Sequence, residues 1–153
     1  MNHEKYMRYA IELADAAGNV GEIPVGCVIT DAAGNIIGRG QNRRESTKSA
    51  LAHAEIEAIA DACKNIGDWR LSECSLYVTL EPCPMCAGAI INARIKKVFY
   101  GAREENTGSC GSVINLFMEP YGHAPQVVGG ILEDECSLLM TDFFEKLREK
   151  TEI

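Results

Sequence analysis

Residues 51–59 read LAHAEIEAI, and residues 80–90 read LEPCPMCAGAI. Within these two stretches lie one imidazole (His53), two thiols (Cys83 and Cys86) and a carboxylate, Glu55, two positions after the histidine. Two thiolates and a neutral imidazole balance the charge of Zn²⁺ and leave its fourth tetrahedral position open, the arrangement of a catalytic zinc site. A water in that position becomes a nucleophile near neutral pH. A carboxylate beside it can take the water's proton and then protonate a leaving group. The residue types therefore predict one Zn²⁺ per chain on His53, Cys83 and Cys86, with Glu55 as general base and acid. A C-x-x-C pair by itself reads equally as a structural zinc site or a redox pair. The H-x-E group upstream favours the hydrolytic reading.

The spacing constrains the elements that carry these groups. Cys83 and Cys86 are three residues apart, so one helical turn brings both to the same side. Pro82 ends a strand, and Pro84 suits the first helical position, where no N–H is needed. Both thiols then sit at a helix N-terminus, where free N–H groups and the macrodipole favour thiolates. His53 opens the preceding helix in the same manner. Glu55 would point roughly 200° away from His53 on a regular helix, and reaches the metal only through the looser first turn.

Around this pair the periodicity predicts a helix over 4–17, closed by Gly18 and Asn19. PVGCVIT and IIGRGQ flank DAAGN as a β-hairpin. AHAEIEAIADACKN reads as a helix with Ala54, Ala58, Ile59 and Ala62 on one face. Strands follow at 75–80 and 97–102, with a helix over 84–92 between them. VINLF reads as a short helix, QVVGGIL as holding a short strand, and DECSLLMTDFFEKLREK as a final amphipathic helix. Strands alternating with helices imply an α/β domain with helices on both sheet faces. Of the adjacent Phe143 and Phe144, one is expected in the core and the other exposed. Trp69 is expected to pack, His3 to lie on the surface, and Cys27, Cys63, Cys74, Cys110 and Cys136 to act as small buried hydrophobes.

The chain of 153 residues is read as a single domain, 1–153, with a composition ordinary for a globular protein. No apolar run approaches the ~20 residues of a membrane helix, and the charged start, MNHEKYMRYA, has no signal core. Seven cysteines, an odd number, fit reduced thiols in a cytoplasm. A net charge of −7 argues mildly against a nucleic-acid partner. Basic residues nevertheless gather at Arg39, Arg43, Arg44 and Lys48, and again at Arg94, Lys96, Lys97 and Arg103.

HAE followed by PCPMC matches the signature H-x-E…P-C-x-x-C of zinc nucleobase deaminases. EIPVGCVI, GRGQNRRE, LYVTLEPCPMCAGAI, TGSCGS, GIL and DFF extend the likeness over residues 4–150, and the chain resembles the bacterial tRNA adenosine deaminases of the TadA family. The resemblance implies the cytidine-deaminase-like fold, a three-layer α/β/α arrangement around a mixed five-stranded sheet. It implies a homodimer that converts adenosine to inosine at the tRNA wobble position. It further implies that Asn42 hydrogen-bonds the target nucleoside and that Phe144 touches the RNA near the pocket. Glu104 stands where the family usually has Asp, Asn106 where it often has Lys, and Gly122-His123 where an Asn-His pair is common. On the same analogy Glu104 and His123 are expected at the substrate. These departures touch substrate recognition and leave the zinc signature intact. The expected partner is a tRNA anticodon stem-loop. The alternatives are a relative acting on a free purine base or nucleoside and, from another class, a zinc-stabilised binding module without turnover.

Overall fold

A computed structural model describes residues 2–151. Helix α1 (His3–Asn19) opens on an N-cap in which the Asn2 side chain accepts from the Lys5 N–H. β1 (Gly26–Thr30) and β2 (Ile36–Gln41) form the expected hairpin. A short helix, α2 (Arg44–Thr47), follows, then α3 (Ala54–Ile66), β3 (Ser75–Leu80), α4 (Pro84–Ala93) and β4 (Lys97–Ala102). After an irregular stretch with one 3₁₀ turn (Leu116–Met118) come β5 (Gln126–Val128) and α5 (Glu133–Thr151).

The sheet order is β2-β1-β3-β4-β5. β1 is antiparallel to both neighbours, whereas β3, β4 and β5 are parallel. The sheet is thus five-stranded and mixed, as expected. Its two faces carry separate apolar clusters. Ala54, Ala58, Ala87 and Ile90 of α3 and α4 pack with Ile29, Leu76 and Val78 on one side. Met7 and Ala10 of α1 and Cys136 of α5 pack with Val28, Tyr77 and Phe99 on the other. Along a buried strand alternate residues feed alternate faces, which is how β1 serves both clusters. The result is an α/β/α sandwich.

Small residues let the layers approach closely. A Cβ at Gly40 of β2 would collide with the Ala54 carbonyl and come within 2.6 Å of the Ala58 N of α3. Glycine therefore lets α3 lie directly on β2, which fixes the height at which the start of α3 presents His53 and Glu55. At its other end α3 terminates on Gly67 in the left-handed conformation, φ 72°.

Several expectations are corrected. VINLF gives only the 3₁₀ turn over its last residues, and α2 was not foreseen. His3 is part-buried: its Nδ1 lies 2.8 Å from the Tyr77 hydroxyl and its ring stacks on Phe99 at 4.1 Å. Trp69 is 52% exposed, with the Arg70 guanidinium 4.6 Å from its ring. Phe143 and Phe144 meet edge to face, and neither is buried. Cys63 is half-buried, while Cys27, Cys74, Cys110 and Cys136 are buried as expected.

Candidate active site

His53 is the N-cap residue of α3, and Cys83 is the N-cap residue of α4, with Pro84 at the first helical position. Neither side chain makes a capping hydrogen bond, and the two turn toward each other. β3 delivers Cys83 through Glu81 and Pro82 at its C-terminal end, the end of a parallel strand where open α/β sheets bind ligands. One turn into α4, Cys86 is fully buried. The three ligand atoms lie within 4.8 Å of one another, and His53 Nδ1 is 3.6 Å from each sulfur. A tetrahedral zinc at ~2.3 Å from sulfur and ~2.05 Å from nitrogen would separate S and N by roughly 3.6 Å. The donor set therefore fits a zinc ion in both chemistry and spacing.

Among themselves these groups share protons unequally. A hydrogen bond from Cys86, with His53 adding to it against the effect of burial, holds the Cys83 thiol down to about 4. The same bond and burial push the Cys86 thiol up. The bond to Cys83 raises His53, opposed by its own partial burial. A cation at this point would displace the shared protons, as thiolate metal sites require. Glu55 is 4% exposed. Its burial, with the Cys83 thiolate adding repulsion, pushes its carboxyl up to about 7.

His53, Glu55 and Cys83 form the floor of a cavity of about 350 Å³. Asn42, Arg44, Glu104, Asn106 and Phe144 stand around it. The Asn42 amide is pinned: its Nδ2 donates to the Ile23 carbonyl at 3.2 Å and its Oδ1 accepts from the Arg44 N–H at 3.1 Å. One N–H and one lone pair remain. The structure thus brings together His53, Cys83, Cys86, Glu55, Asn42, Glu104 and Phe144. It does not bring His123 to them. That ring donates from Nε2 to the Ile95 carbonyl at 2.8 Å and lies outside the cavity wall, because the segment before β5 runs along the start of β4.

Sequence reasoning missed two buried carboxylates. Glu22 is 1% exposed and accepts from the Glu45 and Ser46 N–H groups and the Ser46 hydroxyl. Glu81 is 2% exposed and serves the irregular stretch after β4 in the same way. Their one signal in the sequence is a charge set between apolar residues and proline, in EIPV and LEPC.

Comparison with known proteins gives consistent matches. The family model described as the cytidine and deoxycytidylate deaminase zinc-binding region matches residues 1–102. A tRNA-specific adenosine deaminase of Haemophilus influenzae is 49% identical over 98% of this chain and 87% of its own length. A structure from work on A-to-I editing by tRNA:A34 deaminases at the wobble position superposes with a TM-score of 0.85 at 40% identity, over 88% of this chain and 98% of the other. A guanine deaminase of Nitrosomonas europaea superposes with a TM-score of 0.81 at 25% identity, over 92% and 83% of the two chains.

Proposed function

The chain belongs to the cytidine and deoxycytidylate deaminase family, in the branch of the tRNA-specific adenosine deaminases, and we propose that it converts adenosine to inosine at the wobble position of a tRNA anticodon loop. The observation that carries the chemistry is the His53–Cys83–Cys86 cluster beside the buried Glu55 at the floor of one cavity. The substrate assignment is supported by the 49% identity, over nearly the whole chain, to a tRNA-specific relative.

One Zn²⁺ per chain, held by His53, Cys83 and Cys86, would supply an activated water at the cavity floor. Glu55 takes a proton from that water as its oxygen adds to C6 of adenine, and passes a proton to the adjacent ring nitrogen. Glu55 then takes the second proton, from the hydroxyl now on C6, and delivers it to the departing amino group. The C6–N bond breaks, ammonia leaves and C6 keeps the oxygen, so adenosine and water become inosine and ammonia. Asn42 offers its remaining N–H and lone pair to the nucleoside, its orientation already fixed by Ile23 and Arg44. Glu104 and Phe144 contact the flipped nucleotide from the cavity wall. Arg43 and Arg44 hold the phosphates despite the net charge of −7.

The whole chain, 1–153, acts as one deaminase domain. Self-association to a homodimer is supported by an apolar groove of about 440 Å³ between α3 and α4, lined by Leu51, Ile56, Met85 and Tyr121 among others. Of the lining residues, Leu51 is 61% and Tyr121 62% exposed. Among the described residues no helix is long and apolar enough to cross a membrane. A tRNA substrate and seven reduced thiols are consistent with a cytoplasmic enzyme.

The deciding experiment offers the purified protein an anticodon stem-loop and a panel of free purines and pyrimidines, and measures inosine and ammonia. Inosine in the stem-loop is the expected result. Turnover of a free purine with none of the stem-loop would transfer the function to the small-molecule branch that the guanine deaminase represents. Bound zinc with no turnover of anything in the panel would leave a binding module.

A further inference from the structure

Glu81 separates β3 from Cys83, yet its carboxylate serves neither the sheet nor the metal cluster. It accepts from the Glu104 N–H at 3.1 Å, the Cys110 N–H at 2.9 Å, the Ser112 N–H at 3.1 Å and the Ser112 hydroxyl. All four donors belong to one irregular loop after β4. Among the described residues no Lys or Arg pairs with Glu81. Its charge is met mainly by backbone amides wrapped around it, as in an anion nest.

The loop is closed tightly on this anion. A Cβ at Gly108 would stand 2.5 Å from the Glu81 carboxyl carbon and 2.6 Å from its Oε1. The Ser109 N–H donates to the Pro82 carbonyl at 2.9 Å, which adds a tie to the turn that delivers Cys83. Between these anchors the loop presents Glu104, Asn106 and Thr107 to the cavity. The Glu104 carboxylate in turn accepts from the Asn106 N–H at 2.8 Å. No regular element holds these three residues, which line the same cavity as Glu55; the ties to Glu81 and Pro82 anchor the loop that carries them.

We propose that Glu81 is the positioning residue for the base-contacting wall, setting Glu104, Asn106 and Thr107 at the distance from Glu55 that admits the substrate base. The inference rests on the cavity being the substrate site. It assigns Glu81 no proton transfer and no metal contact.

Glu81→Gln replaces one acceptor with an NH₂ group that faces N–H donors, so the loop must leave it. Gly108→Ala keeps the carboxylate and pushes the loop off it. Ser112→Ala removes one donor of the four. Zinc content, amide hydrogen exchange at Glu104, Cys110 and Ser112, and KM and kcat on the anticodon stem-loop are measured for all three. For Glu81→Gln and Gly108→Ala we expect full zinc, faster exchange at those amides, and KM raised roughly tenfold while kcat falls less than about threefold. Ser112→Ala should shift the same way by a smaller factor. Should Glu81→Gln fail to fold, Ser112→Ala decides, since it removes one hydroxyl donor, adds no atom and leaves the buried carboxylate in place. Faster exchange with KM unchanged would overturn the proposal, as would zinc loss with collapse of kcat at constant KM. If the wild-type protein turns over a free purine instead of the stem-loop, the substrate reading fails, but the same KM split, read on that purine, still tests Glu81.

Discussion

At the floor of the cavity His53 and Cys83 are the N-cap residues of two helices packed on the sheet, whereas the wall above them combines Phe144 of α5 with parts that have little regular structure, the start of the four-residue helix α2 and the loop after β4. The floor takes its precision from regular elements: α3 lies on β2 through Gly40, and α4 leaves the end of β3. The wall takes its precision from two buried carboxylates, Glu22 under α2 and Glu81 under the loop after β4. This division separates the chemistry from the choice of substrate. A fixed floor can serve any base whose amino carbon reaches it. The loop part of the wall, which carries Glu104 and Asn106, rests on a few hydrogen bonds.

If the division holds, the largest effects belong to the floor. Glu55→Gln keeps a group of the same shape at a fully buried position but cannot accept the water's proton. Removing a general acid–base typically costs ~10²–10⁴-fold, and one residue making several transfers belongs at the upper end of that range. Metal analysis should still find one zinc per chain. Zinc loss in this variant would make Glu55 a ligand, and retained turnover would place the base elsewhere. Cys86→Ala comes next. It removes a fully buried ligand and should abolish stoichiometric zinc and, with it, deamination, while KM loses its meaning. A chelator should do the same to the wild-type protein, and a zinc-free protein that still released ammonia would contradict the catalytic role of the cluster.

The wall should respond in KM. Arg43→Glu combined with Arg44→Glu reverses two charges beside Asn42 and should raise KM for the stem-loop more than it lowers kcat. Each phosphate neutralised on a single strand contributes ~0.7 to the slope of log K against log salt, so a few contacts predict a slope of roughly −2 to −4. The doubly reversed variant should show a shallower slope. A salt-independent KM in the wild-type protein would mean that no phosphate is held, and would break the link between this wall and RNA.

The same division explains what was legible beforehand. His53, Cys83 and Cys86 announce themselves because N-cap position, proline placement and ligand spacing are local properties of sequence. Glu55 was legible as a partner, although helix geometry alone points it away from His53. The wall was legible only in part. Asn42, Glu104 and Phe144 came from a resemblance, and all three line the cavity. His123 came from the same source and faces the Ile95 carbonyl instead. Glu22 and Glu81 were not seen, because their partners are chiefly backbone amides 23 to 31 residues away, and an amide carries no residue type. Helix α2 was missed for a related reason. It is four residues long, its N-cap Arg43 makes no side-chain cap bond, and the donors at its start are satisfied by Glu22 from outside. Trp69 was assigned to packing from its size, but it is 52% exposed, with the Arg70 and Arg94 guanidinium groups near its ring.

The smallest expected effect concerns Glu22, the counterpart of Glu81 that holds α2. Burial raises its pKa, but hydrogen bonds from the Ser46 hydroxyl and from the Glu45 and Ser46 N–H groups, with the Arg44 charge nearby, outweigh this and hold the carboxyl below the usual range. A carboxyl depressed in the folded state stabilises the fold above its unfolded pKa of ~4.3. That stabilisation is lost as pH falls through the lower folded value, because both states then bind the proton. Glu22→Gln imitates the protonated form at every pH. At pH 7 its Tm should lie below that of the wild-type protein, and the gap should shrink as pH is lowered through the unfolded pKa toward the depressed folded value. Amide exchange at Glu45 and Ser46 should quicken in the variant, with KM rising modestly and zinc unchanged. A Tm gap that stayed constant across this pH range would show that the Glu22 charge contributes nothing, and that α2 is held by shape rather than by a buried anion. The two sides of the wall would then be built differently, and only the Glu81 side would depend on charge.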